Sequence, residues 1–247
     1  MKIKIRSRVP LITSFEVQSS LNSEIWNGAE MRPEIVARLR EIAEEFINNL
    51  DLPEMTIIDI ILTGSLANYN WSKYSDLDVH IVVDFLSIDE NEGLVKKYFD
   101  AVRSNWNRKH NIKIKGYDVE IYVQDDDEKH ESTGIYSLLH DRWELKPERE
   151  AYPINKVAIY KKSRNLIRDI DKAVAFFNRQ QYGDTVEMGN NIKSKIKRMR
   201  QTGLERSGIF SSENLAFKVL RRSGYMKKLF DVVSDAYDQQ KSLAEQE

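Results

Sequence analysis

The 247-residue chain contains no cysteine. Disulfide cross-links, thiolate nucleophiles and cysteine-ligated zinc are therefore excluded, and the usage fits a reducing compartment. No apolar window reaches the length of a membrane span. The basic N-terminus, MKIKIRSRVPLITSF, lacks the apolar stretch of a signal peptide. These absences predict a soluble, cytoplasmic protein with no membrane partner. Internal repeats and low-complexity tracts are missing too. What remains is a globular composition, 41% hydrophobic and 31% charged, sufficient for a core and too mixed for disorder.

The formal net charge of −1 conceals a division. From Ile154 to the end there are 19 Lys and Arg against 11 Asp and Glu, whereas residues 1–153 hold 19 against 28. The residue patterns divide at the same place. Before it, a helix is predicted from Pro33 to Leu50, with proline at its first position and Ile35, Val36, Leu39, Ile42, Phe46 and Ile47 at helical spacing. Asp51-Leu52-Pro53 would end it. Strands are predicted at Ile57–Leu62, Asp78–Phe85 and Ile112–Gln124, the last folded around Gly116, with a helix from Glu92 to Arg108. Asp125–Glu131 reads as a polar loop, and GIYSLLHDRWELKP fits either strand or helix. After Ile154 only helical patterns follow: Asn155–Gln181, Thr185–Gln201, Ser211–Arg222 and Met226–Gln240, separated by glycines. The expected fold is α+β, with domains at 1–153 and 154–247, the second all-helical and basic.

The stretch Leu62–Val83, LTGSLANYNWSKYSDLDVHIVV, is hard to explain by packing. A strand alternates faces, so Asp76 and Asp78 project to one side and Leu77 and Val79 to the other. Paired carboxylates at that spacing repel unless a cation lies between them, and magnesium suits hard oxygen ligands while leaving positions for phosphates. Alone, an Asp-x-Asp pair is an ordinary start to a strand at a solvated turn. Here a Gly64-Ser65 turn precedes it, directly after an apolar strand and opening a predicted short helix at Leu66–Tyr69. Exposed N–H groups, a glycine that permits close approach and a serine hydroxyl make a phosphate cradle.

Gly64-Ser65, ten residues, then Asp76-Leu77-Asp78 resembles the signature of the DNA polymerase β-like nucleotidyltransferase superfamily. The resemblance covers roughly Pro33–Gln124 and is carried by these short motifs and by the order of helices and strands around them. It implies a small mixed sheet with flanking helices and a helical domain behind. It also implies two magnesium ions (or manganese) held by three carboxylates, and transfer of a nucleoside monophosphate from a nucleoside triphosphate, ATP among them, to an acceptor hydroxyl. Asp76 and Asp78 would be catalytic metal ligands, and Gly64 and Ser65 would hold the β- and γ-phosphates. The third carboxylate would come from Tyr117-Asp118-Val119-Glu120-Ile121-Tyr122-Val123. Glu120, deeper in the apolar run, is the first candidate and Asp118 the alternative, although many branches of the family carry aspartate there. Lys73, in the loop between the motifs, is assigned to the triphosphate. His80 shares the parity of the aspartates and reads as a half-buried strand residue. Asp125-Asp126-Asp127 reads as a solvated turn, and Asp59 and Asp84 have no motif support.

Between Lys193 and Lys228 there are eleven Lys and Arg and only two acids. Ile192, Ile196 and Met199 would be buried, leaving Lys193, Lys197 and Arg200 on an exposed face that suits RNA as acceptor and equally suits plain solvation. Aromatic interleaving is thin. A protein or small-molecule adenylyltransferase of toxin–antitoxin or antibiotic-modifying type, and a non-catalytic nucleotide- or RNA-binding protein, are the alternatives.

Overall fold

The computed structural model describes residues 12–50, 52, 55–128, 132–150 and 152–242. Residues 1–11, Asp51 and Pro53 beyond the first helix, and 129–131 of the polar loop lie outside the described residues. The chain divides into two units, Glu16–Ala151 and Met1–Phe15 with Tyr152–Glu247. The division at 151/152 falls beside the boundary read at 153/154, but Ile12–Phe15 joins the helices. Ile12 and Phe15 are buried with Ile159, Leu215 and Val219. Arg222 donates to Ser14 Oγ at 2.7 Å and lies over the Phe15 ring.

In the first unit, β1 (Trp26–Asn27) and β2 (Glu30–Met31) form a separate hairpin before α1 (Pro33–Asn48). The main sheet takes β3 (Ile57–Thr63), β4 (Asp76–Val83), β5 (Lys113–Ile114), β6 (Tyr117–Asp125), β7 (Ile135–Ser137) and β8 (Arg142–Leu145). Their order is β5-β6-β4-β3-β7-β8, with β4 and β6 parallel and the other neighbours antiparallel. A parallel pair needs a crossover, and α2 (Glu92–Lys109) provides it. The Asn91 side chain caps α2 by accepting from Leu94 N–H, and Arg108 and Lys109 close its C-terminal end.

Several boundaries depart from the sequence pattern for local reasons. Helix α1 stops at Asn48 rather than Leu50: the Asn49 side-chain amide also donates to the Glu45 carbonyl, and Leu50 N–H bonds to Ile47, one residue short of the helical partner. Strand β4 starts at Asp76, so both aspartates lie inside it, and it ends at Val83, where Phe85 N–H turns aside to Asp125 Oδ1 at 2.9 Å. The ambiguous segment after Gly134 is the β7–β8 hairpin. Tyr136 and Trp143 on its two strands pack against Trp26, with ring centroids 4.5–5.2 Å apart. Lys115 and Gly116 join β5 to β6 with φ of 52° and 83°, the double left-handed geometry of a two-residue type I′ hairpin turn.

Alternation then sorts the sheet into two chemistries. Leu77, Val79, Ile81 and Val83 share one buried core with Ile60, Leu62 and Ile121, and with Leu39 and Phe46 of α1 and Phe99 of α2. The opposite parity carries Asp76, Asp78 and His80 on β4, and Glu120, Tyr122 and Gln124 on β6.

The second unit contains α3 (Lys156–Asn178), α4 (Tyr182–Ser207), a 3-10 turn at Gly208–Phe210, α5 (Ser212–Arg222) and α6 (Tyr225–Lys241). Asn155 and Ser211 cap α3 and α5 by accepting from Ala158 and Asn214 N–H. Helix α4 continues past its predicted end at Gln201 and runs through Gly203. That glycine is not a separator but a contact point, since a Cβ there would lie 2.5 Å from Glu213 Cβ. The helix ends instead at Gly208, with φ of 64°. Where α4 meets α6, a Cβ on Gly189 would come 2.1 Å from Val233 Cγ2. Gly189→Ala is therefore expected to destabilise the protein by up to about 2 kcal/mol in urea unfolding. Overpacking of about 1–3 kcal/mol outweighs the gain of about 1 kcal/mol in helix propensity. No helix among the described residues is long and apolar enough to cross a membrane.

Candidate active site

The site begins where β3 ends. Gly64 has φ of 76°, a left-handed conformation that favours glycine. It has a second reason to lack a side chain. A Cβ built there would lie 2.0 Å from Asp78 Oδ2, so the aspartate carboxylate occupies the space that any other residue would fill.

The ten residues between Gly64-Ser65 and Asp76 form a loop closed at its base. Ser65 Oγ donates to Ser75 Oγ at 2.7 Å, and Ser75 Oγ also accepts from Ser72 N–H at 3.0 Å. The spacing thus has a physical meaning: Ser75, immediately before the first aspartate, ties the loop back to the residue after the glycine. The short helix predicted at Leu66–Tyr69 is not formed; turns occupy the segment. The Leu66 carbonyl, which would accept within a helix, is held by Trp26 Nε1 at 2.8 Å. Asn68 bonds through its amide to Thr133 Oγ1 and to Tyr69 N–H. Gly134 approaches so closely that a Cβ would sit 1.9 Å from the Ala67 carbonyl oxygen. Tertiary bonds have replaced the helical ones.

In-register parallel pairing sets Asp76 opposite Asp118 and Asp78 opposite Glu120. Carboxylate oxygens of Asp76, Asp78 and Glu120 all lie within 4.8 Å of one another, and all three residues are half-buried. Asp118 is exposed and bonds to Lys113 on β5, so of the two candidates for a third carboxylate Glu120 is the one that meets the aspartates. Thr63, paired with Asp78 across β3 and β4, points to the same face. Its hydroxyl is buried and makes no hydrogen bond.

Tyr122 lies two residues beyond Glu120 and donates to Glu120 Oε2 at 2.8 Å. Burial first, then the Glu120 charge, pushes the phenol well above its usual range, so it stays protonated and acts as a donor. Its ring lies between His80, with centroids 4.9 Å apart, and the Arg103 guanidinium at 4.5 Å. His80 is half-buried, as expected, and its Nδ1 meets Gln124 Oε1 at 2.5 Å.

The remaining candidates do not join these three carboxylates, and Asp84, Asp125 and Asp126 form an acidic group of their own. Lys73 is exposed in the loop, with its Nζ 5.2 Å from the Tyr74 ring centroid. Asp59 accepts from Ile60 N–H and Ser137 Oγ, near His140 and Glu144. Asp125 accepts from Phe85 N–H and helps turn the chain, while Asp126 and Asp127 are exposed. In the helical unit, parts of the basic run are used internally. Lys195 pairs with Asp169, Lys228 with Asp171 and Lys227 with Asp231. Arg200 bonds to Asn214 and covers Phe217, whereas Lys197 and Arg198 are exposed.

The front-unit donor set is chemically suited to a hard divalent cation. It consists of oxygens alone, gathered from adjacent strands, beside an orphaned buried hydroxyl and a glycine whose open side admits a carboxylate. No protein-family model matches the chain, and no curated protein matches it.

Proposed function

We propose that this chain is a metal-dependent nucleotidyltransferase on a polymerase β-like core, moving a nucleoside monophosphate from a nucleoside triphosphate to an acceptor hydroxyl. The observation that carries this reading is the convergence of Asp76, Asp78 and Glu120 within 4.8 Å, beside the Gly64-Ser65 turn. These three carboxylates would hold magnesium, with manganese as a substitute. A divalent cation bound there lowers the pKa of the acceptor hydroxyl and neutralises charge on the triphosphate.

The chain's own groups supply the rest. N–H groups of the turn and the Ser65 hydroxyl receive the β- and γ-phosphates, the hydroxyl exchanging its bond to Ser75 for one to phosphate. Lys73 reaches the triphosphate from the loop. The acceptor oxygen attacks the α-phosphorus in line, the new P–O bond forms, and the bridging bond to the β-phosphate breaks to release pyrophosphate. The hydroxyl proton passes to solvent at this half-buried cluster, because the Glu120 oxygen not bonded to Tyr122 would be a ligand of the cation.

RNA is the proposed acceptor, supported by the basic excess after Ile154 and by exposed Lys197 and Arg198. A cytoplasmic location belongs to the same proposal. The test is incubation with each labelled nucleoside triphosphate, magnesium or manganese, and either total RNA or cell lysate. Label is expected in RNA with an equal yield of pyrophosphate. Label in protein or a small molecule reassigns the acceptor. No transfer from any triphosphate overturns the enzyme reading in favour of a nucleotide-binding module.

A further inference from the structure

We propose that Tyr122 is a positioning residue that fixes Glu120 as a cation ligand, an inference that rests on the metal-dependent reading above. Glutamate has one more rotatable bond than aspartate, so as a third ligand it begins less ordered than Asp76 or Asp78. The strand supplies the missing constraint. Glu120 and Tyr122 are two apart on β6 and share its polar face, so the phenol reaches back along the strand. Its O–H bonds to Oε2 at 2.8 Å, which leaves the second oxygen, Oε1, for a cation.

The phenol is itself held from several directions. His80, opposite Tyr122 across the parallel pair, lies 4.9 Å away ring to ring and is pinned by Gln124. The Arg103 guanidinium covers the ring at 4.5 Å. Two hydrogen bonds keep α2, which carries Arg103, beside β6: Asn107 accepts from the N–H and donates to the C=O of Ile121, at 3.1 and 3.0 Å. The arrangement is a ligand, a donor that orients it, and a frame that orients the donor. Partners of metal-ligating groups commonly control affinity in this way.

Tyr122→Phe removes the O–H and keeps the ring, so the contacts with His80 and Arg103 survive. Manganese binding to the whole 247-residue chain, followed by electron paramagnetic resonance of the free ion, is expected to weaken about tenfold. A Glu120→Gln background separates positioning from general structure. There, Tyr122→Phe is expected to cause no further loss, because the group through which it acts is already impaired. An equal loss in both backgrounds overturns the positioning role, and so does unchanged affinity of Tyr122→Phe alone. Wild-type protein that binds no manganese overturns the metal reading itself. Should Tyr122→Phe unfold, Glu120→Asp withdraws the carboxylate from the phenol by one methylene and is expected to show a similar loss; undiminished affinity in Glu120→Asp overturns the inference.

Discussion

Asp76→Asn combined with Asp78→Asn is expected to reduce pyrophosphate release to background while leaving the fold at least as stable as before. Both halves follow from one geometry. Carboxylates gathered within 4.8 Å repel one another in the metal-free protein, and two amides of nearly the same shape relieve that repulsion. The variant should therefore unfold at an equal or higher urea concentration when no cation is present. With magnesium at about a hundred times its dissociation constant the order reverses, because binding adds about 2.7 kcal/mol to the wild type alone. Urea midpoints with and without magnesium, beside a pyrophosphate assay, check both parts. Retained release of pyrophosphate sinks the catalytic assignment, and a large loss of metal-free stability would mean that the aspartates serve the fold.

Gly64→Ala is the single substitution expected to do most damage. Its methyl group would enter the space of Asp78 Oδ2, 2.0 Å away, and the backbone would have to hold alanine at φ of 76°. The conformational part costs about 1–2 kcal/mol. The steric part acts on chemistry, because Asp78 must rotate away from Asp76 and Glu120. Gly116→Ala is the matched control, with φ of 83° and nothing within 4 Å of the added carbon. Both variants should lose similar stability from strain, but only Gly64→Ala should lose most of its nucleotide transfer. Full activity in Gly64→Ala would show that Asp78 does not need its present position.

The sequence made some of this site legible because strand parity is a local property. An apolar Val79, Ile81 and Val83 forces Asp76, Asp78 and His80 to the other face, whatever the rest of the chain does. Glu120 could be nominated from the same alternation in β6. The absent helix at Leu66–Tyr69 was beyond local reading, since the competing donor comes from Trp26, forty residues away. The β7–β8 hairpin was equally opaque; its pairing depends on β3 and on the aromatic contact with Trp26. Gly203 looked like punctuation because sequence does not reveal that Glu213 packs against it. Two useful residues were visible and unread. Ser75 stands directly before Asp76, and Tyr122 shares the parity of Glu120.

The pairing of β4 with β6 has a consequence for accuracy. A slip of one residue would turn Glu120 into the core and bring Val119 and Ile121 to the polar face, with the loss of much buried apolar surface. A slip of two would keep the faces but set Asp118 or Tyr122 against Asp78. That error is opposed by Asn107 of α2, whose two bonds both go to Ile121. Hydrophobic packing thus acts as a proofreader of the acidic cluster against the one-residue slip, and the Asn107 bonds do the same against the two-residue one.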